Sequence, residues 1–187
     1  MNKIQFVKAG LPHEKLIFSW LSEPHMMEFW DNSQEHKDDI LNFIHGRKQY
    51  YFAGTTQYFI ALTEGEPFAF LLADILSPDE DLSPPLKENL SKTGHTIALD
   101  FGIGNKKFLG KGLASITLAE FVNYYCEHID NLADTFFIDP DENNPRARHV
   151  YEKAGFEYVN EYHPTEGAFV GDTCLLMIKK IEKHGRI

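Results

Sequence analysis

The sequence is poor in cysteine, in cationic side chains and in long apolar runs. Only Cys126 and Cys174 occur among 187 residues. They cannot make a disulfide framework, and no CxxC or other metal-ligand spacing is present. The nine histidines are scattered without an HExxH pair, so no metal is expected. Lys and Arg number 18 against 28 Asp and Glu, giving a formal charge of −10. That balance counts against nucleic acid and anionic membranes as partners, since both need a positive field. It favours a small cationic ligand, although a plain soluble surface explains it equally well. No stretch approaches the ~20 apolar residues of a membrane span. Met1 to Gly10 lacks the apolar centre of a secretory signal, so a cytoplasmic, reduced protein is expected.

What is present points to one packed domain over residues 1–187. Hydrophobic residues make up 43% and aromatics 13%, too many for a disordered chain. Alternation predicts strands at Ile4–Lys8, Tyr58–Leu62, Phe68–Ile75, Thr96–Ile103, Thr135–Asp139, Phe156–Tyr162 and Thr173–Lys179. Helical spacing predicts helices over Pro12–Leu21, Asp38–Arg47, Gly112 to about His128, and from Pro145 to Ala154. Asn144 suits the N-cap of the last, Pro145 its first position and Gly155 its stop. The polar stretch 77–94 reads as a solvated insertion loop with one helical turn near Pro85–Asn89. The order predicts an α/β or α+β layer structure, a mixed sheet covered by helices.

The loop from Asp100 to Ala114 carries the first chemical signal. Gly110 and Gly112 stand at the entry to a helix, where bare amides and the helix N-terminus suit a diphosphate. Lys106, Lys107 and Lys111 cluster beside them. A glycine turn with solvated lysines is the plainer reading of the same residues. Neither the Walker lysine motif nor GxGxxG occurs. Tyr151 lies on a packing face, so it is either a core tyrosine or a proton donor. Asp100 is a strand-end carboxylate that either caps a turn or serves an amine. Asp139 and Trp30 divide in the same way, the first between turn and cation contact, the second between core and stacking surface. Cys126 reads as a buried helix residue.

Read together, the motifs are more specific. Lys107-Phe108-Leu109-Gly110-Lys111-Gly112 resembles the acetyl-CoA loop [RQ]xxGx[GA] of the GCN5-related N-acetyltransferases. Asn143-Asn144-Pro145-Arg146-Ala147 followed by Tyr151-Glu152-Lys153-Ala154-Gly155-Phe156 resembles that superfamily's later helix. Lys107 departs from the usual Arg or Gln and loses the fork geometry. Leu99-Asp100, Asp139-Pro140, the Trp20 to Trp30 segment and the Glu64 to Phe68 hairpin resemble the aminoglycoside 6′-N-acetyltransferase branch.

The resemblance implies a mixed, mostly antiparallel sheet with a central splayed parallel pair, flanked by helices. It implies acetyl-CoA as co-substrate, held by the backbones of Phe101 and Ile103 and by residues Lys107, Phe108, Leu109, Gly110, Lys111, Gly112, Leu113 and Ala114. Asn144 and Ala147 would complete that site. Tyr151 would protonate the departing thiolate. Asp100 would bind the acceptor and take its proton, with Trp30 and Asp139 as further acceptor contacts. The implied reaction is direct acetyl transfer to a primary amine of a small cationic molecule, such as the 6′-amine of an aminoglycoside. A siderophore-type or polyamine acceptor, or a CoA-binding module without turnover, are the competing readings, in a monomer or homodimer. Asp100→Asn is expected to hurt most at lower pH, where the acceptor is more protonated.

Overall fold

The computed structural model describes residues 3–182. Seven strands form one sheet: β1 Ile4–Lys8, β2 Gln57–Thr63, β3 Glu66–Leu76, β4 His95–Ile103, β5 Ala133–Ile138, β6 Glu157–Tyr162 and β7 Cys174–Lys180, in the order β1-β2-β3-β4-β5-β7-β6. Among the described residues only β4 and β5 pair in parallel. The helices are α1 Glu14–Leu21, α2 Pro24–Met27, α3 Gln34–Ile44, α4 Pro84–Asn89, α5 Leu113–His128 and α6 Pro145–Lys153. The mixed sheet flanked by helices is thus as the sequence predicts.

Alternation along the strands sorts side chains onto two faces. One buries Ile97, Leu99 and Phe136 under Leu118, Phe121 and Tyr125 of α5 and Tyr151 of α6. The other buries Tyr58, Ile60, Phe70 and Leu72 under Ile17, Trp20 and Leu21 of α1, Met26 of α2 and Ile40 of α3. Glycines permit this second contact: a Cβ on Gly104 would lie 2.2 Å from Trp20 Cγ, and one on Gly102 would lie 2.6 Å from Met26 Sδ.

Two elements differ from the sequence reading. Helix α3 starts at Gln34, because Ser33 caps it by accepting from the His36 amide at 3.2 Å. Its first turn is polar, so apolar spacing alone places the start later. The 77–94 segment is more than a solvated loop. Leu86 and Leu90 pack with Leu76 and Tyr162 against Phe137, Leu176 and Ile178, so α4 covers the second face where β5 and β7 pass beneath it.

The sheet opens at its centre. The β4–β5 ladder runs from His95↔Ala133 to Ala98↔Phe137 and goes no further. Strand β4 stays with β3 as far as Ala69↔Ile103. Strand β5 stays with β7, through Ile138↔Met177 and then a Leu175 N–H to Pro140 carbonyl bond of 2.9 Å. Each strand follows its outer partner, so Leu99–Ile103 has an edge with no neighbour on the β5 side.

Candidate active site

At the mouth of this gap lies the glycine loop. Gly110 and Gly112 both adopt φ 72°, the left-handed region that glycine enters without penalty, and no atom lies within 4 Å of a Cβ built on either. The Phe108 and Leu109 amides close a short turn on Asn105 and Lys106, at 3.0 and 3.1 Å. The open row of amides therefore begins at Gly110. Among the described residues Gly110, Lys111 and Gly112 N–H have no internal acceptor, and the first amides of α5 have none within their helix. Such a concave row, at the positive end of a 16-residue helix, fits a diphosphate.

The lysines are engaged elsewhere. Lys107 Nζ reaches both carboxylate oxygens of Glu66, at 3.0 and 3.1 Å, and Lys106 pairs with Glu23. Lys111 lies over the Phe108 ring, 5.6 Å from its centroid. The main chain thus provides the free donors at this loop. Beside it, a cavity of about 420 Å³ is lined by Ile4, Thr63, Glu64, Lys107 and Phe108. No residue of β5 or α6 lines it, so it adjoins the loop but is separate from the gap.

At the other end of the gap three carboxylates share the second face. Asp100 lies opposite Leu72 across β3 and β4. By strand alternation it stands on the same face as Gly102, and Asp74 stands with Phe70 and Leu72. Asp139 follows β5 two residues after Phe137. Asp100 is partly buried and its pKa is raised, by burial first and then by the charges of Asp139, Asp31 and Asp74. Burial also raises Asp139, which accepts a hydrogen bond from the Tyr162 hydroxyl. Burial pushes Asp74 up to about 6, although the Thr55 and Thr56 hydroxyls donate to it at 2.8 and 3.2 Å.

Tyr151 approaches from the opposite face. It is 8% exposed and belongs to the core under α6. Burial raises its pKa, and the charges of Asp100 and Asp139 raise it further, so it is a neutral phenol throughout the ordinary pH range. The phenol therefore lies within electrostatic range of both carboxylates. Asn144 Oδ1 accepts from the Ala147 amide at 3.0 Å. Both groups are therefore committed to the α6 cap, leaving the Asn144 amide nitrogen free to donate.

Trp30 is 7% exposed and packs on Phe70 and on His36, at centroid distances of 5.2 and 6.1 Å. Its place is in the wall behind the carboxylates, and its Nε1 has no partner. Asp31 is a residue that sequence reasoning missed. Burial opposes its charge, yet hydrogen bonds from the Tyr51 hydroxyl and the Ser33 amide hold its pKa below the usual carboxylate range. Asp74, Tyr51 and Tyr162 were missed as well. Each acts through a partner 18 or more residues away in sequence, and no local pattern marks them. Cys126 donates to the Ala133 carbonyl at 3.4 Å, in keeping with a helix residue of structural use. Among the described residues no cluster of His, Cys, Asp and Glu could hold a metal ion, and no helix is long and apolar enough to cross a membrane.

Comparison with known proteins supplies the context. No curated protein matches the sequence. Among solved structures, an aminoglycoside N(6′)-acetyltransferase from Legionella pneumophila is 23% identical with a TM-score of 0.75, covering 95% of this chain and 92% of its own. The aminoglycoside acetyltransferase AAC(6′)-Ib in complex with coenzyme A and kanamycin is 20% identical with a TM-score of 0.73, covering 95% of both chains. A chimera of spermidine N-acetyltransferase SpeG, from Vibrio cholerae and hSSAT, is 13% identical with a TM-score of 0.66 and also covers 95% of both. These likenesses show the fold. The acetyltransferase (GNAT) domain family matches residues 11–163. With an opened parallel strand pair and an amide cradle at a helix start, the chain belongs to the GNAT acetyltransferases.

Proposed function

We propose that this enzyme transfers the acetyl group of acetyl-CoA directly to a primary amine of a small polycationic amino sugar, such as the 6′-amine of an aminoglycoside. The carrying observation is the opening between β4 and β5, with Asp74 and Asp100 on one face of the sheet and Tyr151 in the core of the other. The residues present fit acetyl-CoA. The Gly110–Ala114 amides would hold its diphosphate, the free β4 edge at Phe101–Ile103 its amide-bearing arm, and the Asn144 side-chain nitrogen its thioester end.

An ammonium must lose a proton before its nitrogen can attack a thioester. Burial and the neighbouring charges make Asp100 a stronger base than a free carboxylate, suited to taking that proton directly or through water. The amine nitrogen then bonds to the acetyl carbon and sheds a second proton to solvent as the carbon–sulfur bond breaks. The neutral Tyr151 phenol gives its proton to the departing thiolate. The proton gained by Asp100 and the one lost by Tyr151 return through solvent, leaving an amide and free CoA thiol.

The test is thiol release from acetyl-CoA with kanamycin as acceptor, with the product mass measured alongside. Acetylated kanamycin and a matching yield of thiol are expected. Thiol release with spermidine alone would move the acceptor to linear polyamines. Stabilisation by CoA without turnover on any amine would leave a binding module.

A further inference from the structure

Tyr151 stands in the last turn of α6, and a specific set of hydrogen bonds closes that turn. The Gly155 amide donates to the Glu152 carbonyl and the Phe156 amide to the Tyr151 carbonyl, both at 3.0 Å. Gly155 adopts φ 89°, the left-handed stop that this pair of bonds uses. The Phe156 ring lies 6.5 Å from that of Tyr151, the apolar contact that commonly accompanies such a stop. Tyr151 is therefore itself part of the helix stop, through its carbonyl and its ring. No hydrogen bond among the described residues holds its hydroxyl, so the backbone and the ring packing decide where that hydroxyl stands.

A helix end leaves carbonyls without partners inside the helix. At this end the Ala154 carbonyl finds its donor on another element. Lys179 Nζ donates to it at 2.7 Å, from β7 and 25 residues away in sequence. The lysine stem crosses the glycine of the stop: a Cβ on Gly155 would lie 3.4 Å from Nζ and 3.6 Å from Cε of Lys179. Lys179 is the ladder partner of Phe136 on β5. The ammonium thus ties the turn that carries Tyr151 to the half of the sheet that borders the gap on the β5 side. Burial lowers the Lys179 pKa, so the contact is kept although the ammonium loses hydration. Among the described residues it pairs with no carboxylate. Its partner is one main-chain oxygen at the negative end of a helix, where a cation is favoured.

A phenol passes its proton to a departing sulfur only at hydrogen-bond distance. Misplacing a reacting group by about 1 Å can cost roughly 10²-fold in rate. We infer that Lys179 is a positioning residue for acetyl transfer: by fixing the Ala154 carbonyl it sets where the Tyr151 hydroxyl stands when the thiolate departs. The inference rests on the acetyl-transfer reading above and adds a residue to it. Lys179 acts through Tyr151 and not on the reacting atoms.

The test is a double-mutant cycle of Lys179→Met, which keeps an unbranched stem and removes the donor, with Tyr151→Phe. Steady-state kinetics are measured with whichever of kanamycin and spermidine the wild type acetylates. Hydrogen exchange at the Gly155 and Phe156 amides reports the turn independently of activity. Lys179→Met is expected to lower kcat about tenfold, part of the range for a misplaced group, and to speed exchange at both amides. Both KM values are expected within twofold of wild type, since Asn144 caps the opposite end of α6. In the Tyr151→Phe background Lys179→Met is expected to change kcat by less than twofold, because no phenol is left to place. An unchanged kcat or unchanged amide exchange in Lys179→Met, or a tenfold loss that persists beside Tyr151→Phe, would overturn the positioning role alone. Tyr151→Phe with wild-type kcat would bring down the proton-donor role, and the inference with it. Wild-type enzyme that acetylates neither amine would bring down the transfer reading itself.

Discussion

In the proposed reaction Tyr151 and Asp100 divide the proton work, and the surroundings of both push their pKa values upward. For Tyr151 this keeps the proton available for a leaving sulfur. Tyr151→Phe should lower kcat by about 10²-fold, the usual scale for a lost general acid, with the KM for acetyl-CoA within twofold of wild type. Unchanged kcat would return the residue to the core. For Asp100 the raised value reverses the pH dependence expected from sequence alone. The carboxylate keeps its proton until the pH rises through its elevated pKa, so its base form is lost on the acid side. Wild-type kcat/KM should therefore climb with pH through a limb that Asp100→Asn lacks. The deficit of the variant should be largest at alkaline pH and shrink towards acid. A deficit constant across pH would leave Asp100 without the base role. Both residues were legible because each lies inside a local motif. Asp31 and Asp74 were not, since only sheet register and a long loop bring them to Asp100.

At the level of elements, two kinds of glycine do different work. Gly104 makes room for Trp20, so helix α1 can lie on the strand that borders the gap. Gly104→Ala forces a methyl into the indole and should cost on the order of 2–3 kcal/mol in denaturant unfolding. A loss under 0.5 kcal/mol would mean that α1 shifts freely. Gly112 is constrained by its backbone alone, with φ 72° and open space around it. Gly112→Ala should cost roughly 1–2 kcal/mol and raise the KM for acetyl-CoA several-fold, with the acceptor KM unchanged. Retained acetyl-CoA affinity would show that the loop conformation is not needed for binding. The glycine loop was readable because its residues are consecutive. The start of α3 was not, because a Ser33 cap and a polar first turn leave no apolar trace. The role of 77–94 was hidden for a related reason. Leu86 and Leu90 find their apolar partners on β5 and β7, far along the chain.

For the molecule as a whole, burying carboxylates on one face has a cost that depends on pH. Asp74 carries a native pKa of about 6 against an ordinary value of 3.8. Between those values the native state binds more protons than the unfolded chain, so stability is greatest below the lower one and falls as pH rises through the higher. Asp74→Asn, which can still accept from Thr55 and Thr56, should remove that decline. Its Tm relative to wild type should increase by on the order of a few °C between pH 4 and pH 7. A Tm difference that is flat with pH would show that Asp74 is not held in its protonated form.

The parting of β4 from β5 has a mechanical consequence. The sheet is two plates, β1 to β4 and β5 to β7, stitched by the rungs from His95 to Ala98 and held on one face by α5 and α6 packed across both. An extended guest lying in the fork would act as an eighth strand, lacing the plates for the rest of their length. Amide hydrogens of Phe136–Ile138 and Leu99–Ile103 should then exchange more slowly together once CoA is added, and the halves should melt in concert. In this protein, seating the donor would also stiffen the frame on which the acceptor's carboxylates are mounted.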